Sequence, residues 1–343
     1  MRILLTGGAG FIGCNLSFYL KKKHPEYELV VIDNLSRVGS ETNVEKLREI
    51  GAEFIEGDVR RMSDLNSILR IDIVIHCASN PSVLAGLSSS SSEVIENNLI
   101  GSINVYEFAS KNKADVLLFS TNRVYNQDNL NELKFQVGDS RFILDNRQVF
   151  AGVSELGVDE RFPVDQSKTF YGATKFCSEV LLKEYGKYQG VRHVINRFGV
   201  ISGPGQFGNQ NQGIVSHWLK CHLRKKNLQY FGYGGSGKQV RDVIHVIDVC
   251  EVIDKQIHQI ASVNGETFNV GGGLSNSFSL LELTFLCQNV TGNRVEIAGS
   301  LDMRVGDVPL YYTNNAKISD SLNWSPKRTL KDVLIDLLKR ESE

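Results

Sequence analysis

Tyr171 and Lys175, in the run Tyr-Gly-Ala-Thr-Lys, put a phenol and an ammonium four residues apart, on one face of any helix that carries them. A tyrosine of ordinary pKa, about 10, is a poor base at neutral pH, and a neighbouring cation favours its anion. Such a pair can therefore serve as a general base towards an alcohol. Spacing alone proves little, because Tyr19 and Lys23 repeat it where no role is evident. What singles out Tyr171 is the run Phe119-Ser120-Thr121, which reads as a strand end and brings a hydroxyl to the carboxyl edge of a sheet, where ligands of such sheets sit. Thr121 is expected to hydrogen-bond the same substrate hydroxyl. Asn98, in a helix passing behind the strand ends, is expected either to hold Lys175 through backbone or water, or to bond locally.

A second constellation stands at the N-terminus. Gly7-Gly8-Ala9-Gly10-Phe11-Ile12-Gly13 separates an apolar strand-like run from a helical one. Glycines at 7, 10 and 13 permit a tight turn, close backbone approach to a pyrophosphate and close helix–strand packing, and the helix N-terminus adds free N–H groups and a positive dipole end. Twenty residues beyond Gly13, Asp33 ends a second strand, where a carboxylate accepts hydrogen bonds from both ribose hydroxyls of an adenosine and repels a 2'-phosphate. The choice of NAD over NADP follows, with Arg37 a mild counter-signal that reads better as a solvated surface group. Asp58, in Gly-Asp-Val, is placed to meet the adenine edge, and Ala78 with Ser79 to pass close to the cofactor. The expected cofactor contacts are thus Gly7, Gly10, Phe11, Ile12, Gly13, Asp33, Asn34, Asp58, Val59, Ala78, Ser79, Asn98, Tyr171 and Lys175. An oxidised nicotinamide would also favour the Tyr171 anion.

The elements that must position these residues are legible as near-continuous apolar runs, the mark of strands buried on both faces of a parallel sheet: Arg2 to Thr6, Leu29 to Asp33, Phe54 to Asp58, Ile73 to Ala78, Val116 to Thr121 and His193 to Phe198. Phe11 to Lys23, Val44 to Ile50, Val94 to Lys111 and Tyr171 to Tyr188 have helical spacing, as crossovers between parallel strands require. The expected fold class is α/β, a doubly wound parallel sheet with a smaller substrate-binding lobe. A dinucleotide-binding domain over 1–198, with a returning segment about 240–270, and a lobe over 199–239 and 271–343 are predicted. Within Ser88 to Ser92, Ser90 and Glu93 have capping-box spacing. The polar segment from Asn126 to Asp165 reads as an insertion over the site.

The chain has 343 residues with a net charge of -1, from 38 basic and 39 acidic residues, so no bulk field points to nucleic acid or an anionic membrane. No apolar run approaches a membrane span and no signal peptide is expected. Six scattered cysteines without a C-x-x-C pair suit free buried thiols in a reducing cytosol, and no metal site is expected.

Together the GGAGFIG loop, Asp33, Asp58, Asn98, Thr121, Tyr171 and Lys175 resemble the extended short-chain dehydrogenase/reductase family, the nucleotide-sugar epimerases and dehydratases, over essentially the whole chain. NRFGVISGPGQ, GKQVRDVIHVIDV, FNVGGG and MRVGDV resemble its substrate-lobe signatures, and the resemblance implies that Arg241 and Arg304 grip a nucleotide diphosphate. Within the family, the run Ser120 to Tyr125, GKQVRDVIH and FNVGGGLSNSFSLLEL most resemble the CDP-paratose (CDP-tyvelose) 2-epimerases, which hold NAD tightly and invert C2 of a CDP-deoxyhexose used for bacterial surface polysaccharide. Asn126 departs from the glycine usual after Val-Tyr. Sugar 4,6-dehydratases place an Asp-Glu pair after the threonine; Asn122 and Arg123 cannot do that acid–base work.

The expected activity is therefore transient oxidation and re-reduction of a nucleotide sugar, with Tyr171 as base then acid, Lys175 lowering its pKa and Thr121 and Asn122 touching substrate. A UDP-hexose 4-epimerase, a non-catalytic dinucleotide sensor and a reductase using exchangeable NADPH are the rivals; the retained Thr121, Tyr171 and Lys175 argue against the sensor and Asp33 against the reductase. Gln239 and His245 either touch the nucleotide or order a loop, Trp218 and Tyr233 either flank a pyrimidine or pack, and His76 reads as a structural histidine. The resemblance also implies a homodimer or homotetramer through the helices at 94–111 and 171–188, and a cytoplasmic location.

Overall fold

The computed structural model describes residues 1–87, 90–166, 168–208 and 212–341. The first half runs β1 (Arg2–Thr6), α1 (Phe11–Lys23), β2 (Glu28–Asp33), α2 (Val44–Glu49), β3 (Glu53–Glu56), α3 (Met62–Asn66), β4 (Ile73–His76), α4 (Ser91–Ile95), a π-helical turn (Glu96–Ile100), α5 (Gly101–Asn112) and β5 (Asp115–Thr121). Then follow α6 (Gln127–Asn131), β6 (Phe135–Val137), β7 (Phe142–Leu144), β8 (Val153–Ser154), β9 (Gly157–Val158), α7 (Phe170–Gln189) and β10 (His193–Phe198). The remainder is β11 (Val200–Ser202), α8 (Ile214–Leu223), β12 (Leu228–Phe231), β13 (Val240–His245), α9 (Val246–Gln259), β14 (Thr267–Val270), β15 (Ser277–Ser279), α10 (Leu280–Thr291), β16 (Ile297–Ser300), α11 (Ala316–Leu322) and α12 (Leu330–Glu341). Two compact units emerge: Met1–Val124 with Thr169–Arg197 and Val249–Phe268, and Tyr125–Lys168 with Phe198–Asp248 and Asn269–Glu343.

The first unit is built on a seven-stranded sheet of order β14-β10-β5-β4-β1-β2-β3, with β1 parallel to β2 and β4, β2 to β3, and β4 to β5. The chain winds outward from β1 to β3 and then crosses to β4, so the direction of winding switches between β1 and β4, the point at which such sheets bind ligands at their strands' carboxyl ends. One face of the sheet packs Leu4, Val30, Val74, Val116 and Leu118 against Val105, Phe108 and Ala109 of α5 and Leu182 of α7. That two-sided burial is why the strands are apolar at successive positions. Helix α7 buries a polar stripe, Tyr171, Lys175 and Glu179. Glu179 accepts from Ser120 at the end of β5 and takes Arg197 of β10 at 2.7 Å, so one carboxylate ties the helix to two strands.

The second unit holds a three-stranded sheet β11-β13-β15, the parallel pair β12-β16 and the hairpins β6-β7 and β8-β9. The predicted boundaries differ from these units in two places. Residues 125–168, predicted within the dinucleotide-binding domain, group with the second unit because Tyr125, Phe142, Val158 and Phe162 share a core with Val240, Leu310 and Tyr311. The returning segment begins at Val249 and not near 240, because β13 pairs with β11 and β15.

Ser90 stands at the N-cap of α4 without a side-chain capping bond, so the predicted box with Glu93 does not form; Ser88 and Ser89 lie outside the described residues. The capping box occurs instead at α10, between Ser279 and Glu282. Asn126 caps α6 by accepting from Asp128 and Asn129, which gives the residue that replaces the usual glycine a local task. None of the six cysteines is in a disulfide, and Cys177 is exposed where burial was expected. Among the described residues no helix is long and apolar enough to cross a membrane.

Candidate active site

The turn after β1 is built for close approach. Gly7 has φ +67°, and a Cβ there would stand 2.8 Å from Ala78 Cα, so the turn presses against the backbone that leaves β4. A Cβ on Gly13 would lie 2.4 Å from Gly8 Cα, which binds the first turn of α1 to the loop. Gly10 caps α1 with no side-chain hydrogen bond, and no acidic residue stands in the first turn. The N–H groups of Phe11, Ile12 and Gly13 thus sit at an uncompensated positive dipole end, the setting a pyrophosphate requires. Asn43, which sequence reasoning missed, steadies the loop by donating to Ala9 O at 2.8 Å; nothing in its surroundings in the chain signals that contact.

At the end of β2, Asp33 accepts from Ala9 N at 3.0 Å and Leu35 N at 2.9 Å. Burial pushes its carboxyl above the usual range, and the N–H groups of Leu35, Ala9 and Gly10 pull it back. A half-buried carboxylate with unused lone pairs at the edge of the cradle fits ribose hydroxyls. Asp58, expected at the adenine edge, is held by its neighbours: burial raises its carboxyl, but the Arg60 guanidinium and Asn34, at 3.0 Å, outweigh that and hold it well below the carboxylate range. Asn34 and Asp58 are thus joined to each other. Val59 is buried against Gly101, and Ala78 donates to Thr6 Oγ1 at 3.3 Å, with Ser79 half-buried beside it.

Thr121, Tyr171 and Lys175 converge in this same unit. Thr169 caps α7 by accepting from Gly172, which sets Tyr171 in the first turn. Burial pushes the Tyr171 phenol up, while the Thr121 hydroxyl, hydrogen-bonded to it, and the positive Arg123 draw it down. Lys175 is only 2% exposed and has no hydrogen-bond partner among the described residues. Burial pushes it down to about 8, against the opposing pull of Cys77 and Glu179. In the protein alone, the groups that draw the phenol down are thus Thr121 and Arg123. Asn122 and Arg123 form a short 3-10 turn, with Arg123 N donating to Thr121 Oγ1 at 3.2 Å. Arg123 was visible in sequence only as a residue unable to do dehydratase chemistry; Glu179 had the available signal of standing eight residues after Tyr171.

Asn98 makes no direct hydrogen bond to Lys175. Its side chain clamps the Asn80 backbone, accepting from N at 2.7 Å and donating to O at 3.1 Å, and reaches Thr174 Oγ1 at 3.3 Å. Its carbonyl, freed in the π-turn, accepts from Ser102 and Ser178. His76 is bonded through both ring nitrogens, to Thr6 at 2.7 Å and Ser102 at 2.9 Å, and burial, with Lys175 nearby, pushes it down to about 3. It is a neutral structural histidine.

In the second unit, Arg241 is pinned by Asp307 and by Val308 O at 2.7 Å. Arg304 lies over the Phe231 ring at 4.2 Å; burial pushes its pKa down and Asp307 opposes that. Asp307 therefore links the two arginines expected to meet a diphosphate, a partner that sequence reading passed over inside MRVGDV. Trp218 is core, stacked on Tyr230 and donating to Thr284 at 3.0 Å, and Tyr233 meets Phe142 edge-on. Gln239 and His245 order their loops, Gln239 through Phe231 O at 3.1 Å and His245 by accepting from Ile247 N at 3.0 Å.

Residues 3–271 match the family described as the NAD dependent epimerase/dehydratase family. The chain is 28% identical over 340 residues to a CDP-paratose 2-epimerase of Salmonella typhi, covering 97% of this chain and 96% of that protein. It is 26% identical over 362 residues to a UDP-glucose 4-epimerase of Erwinia amylovora, covering 100% and 98%. Among solved structures, a mutant UDP-glucuronic acid 4-epimerase from Bacillus cereus, in complex with UDP-4-deoxy-4-fluoro-glucuronic acid and NAD, matches with a TM-score of 0.80 at 25% identity, covering 100% of this chain and 99% of that one. A glycine cradle at the switch point, a buried threonine–tyrosine–lysine group beside it and a family match over most of the sequence lead to one conclusion: this chain belongs to the NAD dependent epimerase/dehydratase family.

Proposed function

We propose that this NAD-dependent nucleotide-sugar epimerase inverts C2 of a CDP-deoxyhexose such as CDP-paratose. The observation that carries the choice of sugar is the similarity, along 97% of the chain, to the Salmonella typhi CDP-paratose 2-epimerase. NAD, when bound, would supply the hydride acceptor for oxidation of the sugar alcohol to a ketone and, in its reduced form, the hydride for re-reduction on the other face. Gly7, Gly10 and Gly13, with Phe11 and Ile12, would hold its pyrophosphate, and Asp33 its ribose hydroxyls. Lys175, buried without a partner, would find its hydrogen bonds on the cofactor ribose.

The chain's own chemistry is one proton moved twice. Tyr171 as phenolate takes it from the sugar hydroxyl, with Thr121 orienting that hydroxyl, and returns it in the second half-reaction. Arg123 and the Thr121 hydroxyl favour the phenolate that burial disfavours. Asn122 and Arg123 supply no acid–base pair for elimination of water, which is the reason against a dehydratase. Arg241 and Arg304 are assigned to the diphosphate. A homodimer or homotetramer belongs to the same reading, supported by the exposed Phe170, Val180 and Tyr188 on α7, as does a cytoplasmic location, supported by six free thiols.

The test is product NMR in deuterated water with the protein as isolated and no added cofactor, offering CDP-paratose and UDP-hexoses. Inversion of CDP-paratose at C2 without deuterium at that carbon is expected. Inversion only at C4 of a UDP-hexose would replace this proposal with the second reading, which the Erwinia amylovora and Bacillus cereus 4-epimerase similarities favour. Deuterium at the inverted carbon would overturn the oxidation–reduction mechanism.

A further inference from the structure

Where α1 ends, its Lys23 and His24, with Tyr27 just beyond, meet Asp254 and His258, one turn apart on α9. The Tyr19 and Lys23 pair that mimics the catalytic spacing belongs to this cluster, with Lys23 Nζ 5.6 Å from the Tyr19 ring centroid. We propose that His24, Asp254 and His258 form a binding site for a divalent transition-metal ion of the zinc class. One ligand atom from each residue lies within 4.8 Å of the others. Zinc bonds of about 2.0–2.2 Å in a tetrahedron place ligand atoms roughly 3.4 Å apart, so side-chain rotation of an ångström or so closes the set.

The hydrogen bonds already sort the nitrogens. His258 Nδ1 is 2.8 Å from the Asp254 carbonyl oxygen and must donate to it, which leaves Nε2 with the lone pair; that atom now accepts from Tyr27 Oη at 3.0 Å. His24 Nε2 is 2.8 Å from Asp254 Oδ1, and its Nδ1 is 3.8 Å from Glu26, a carboxylate suited to hold the proton on Nδ1 once Nε2 turns to a metal. Two imidazoles and one carboxylate select zinc, nickel or cobalt over magnesium or calcium. The Asp254 side chain is 5% exposed and that of His258 48%, so the carboxylate is desolvated while one side stays open for entry and a water ligand. Lys23, 2.7 Å from Asp254 Oδ2 but half-exposed, is the cation a metal must displace, and its stem is free to swing away. Cysteine spacing could not reveal this group, because it holds no cysteine and His24 stands 230 positions before Asp254.

The bound ion would brace the end of α1 against α9. Calorimetric titration of the NAD-loaded, EDTA-treated protein with zinc chloride is expected to give one site per chain and none with magnesium chloride. His258→Ala and His24→Gln are each expected to weaken zinc binding by about tenfold or more, and Lys23→Gln to tighten it, with epimerase turnover retained in all three. No zinc binding by the wild-type protein, or wild-type affinity in both histidine variants, overturns the proposal. Lys23→Gln needs neither histidine variant to fold, and unchanged affinity in it counts against the site equally.

Discussion

Lys175 illustrates what catalytic readiness costs at a single side chain. A lysine held near 8 in the folded protein and near its ordinary 10.5 when unfolded binds more protons unfolded between those values, so folding stability rises with pH across that window and the penalty is complete below it. Replacing Lys175 by Met is therefore expected to stabilise the cofactor-free chain by about 3 kcal/mol at pH 7, with the gain vanishing above pH ~10, in urea melts taken at several pH values. The same change should abolish turnover. Arg123→Met is expected to lower kcat at neutral pH by about tenfold and to shift the ascending, acid-side limb of the pH profile to higher pH, because one of the two groups opposing the burial of Tyr171 is gone. An unshifted profile would remove Arg123 from the chemistry. Tyr171, Lys175 and Thr121 were legible because spacing and a strand end suffice to locate them. The task of Arg123 was not, since the reach of its charge depends on the 3-10 turn that follows β5.

At the scale of elements, the cradle and α7 carry separate tests. Gly13→Ala would drive a methyl into the Gly8 backbone, and the expected outcome is a protein purified without NAD, read from its absorbance ratio and from cofactor released on acid treatment. Glu179→Ala takes from the buried Arg197 its carboxylate partner, which is expected to cost about 3–5 kcal/mol in denaturant unfolding. Strand and helix cores were readable to within a few residues, because two-sided burial imposes continuous apolar runs; β3 and β4 end two residues short of prediction, where Asp58 and Ala78 already belong to loops. The serine run misled as a capping signal, since the capping-box spacing of Ser90 and Glu93 does not make the Ser90 side chain bond the helix N-terminus.

For the molecule as a whole, the doubly wound sheet was legible and the division into units only partly so. Residues 125–168 carry few apolar residues in regular spacing, and their allegiance is decided by aromatic partners nearly 200 positions downstream, among them Tyr311. The two half-reactions require that NAD remain in place between them, so added NAD is expected to leave turnover unchanged and a denatured sample to release about one NAD per chain, measured enzymatically. The π-turn between α4 and α5 bears on heredity as much as on geometry. A π-turn accommodates one residue more than an α-turn, so losing a single residue from 96–100 would let the helix close up as a regular α-helix with the turns on either side of it still in register. What would be lost is the widened turn from which Asn98 reaches Asn80 and Ser178, so the extra residue is kept for that one contact and not for the course of the helix.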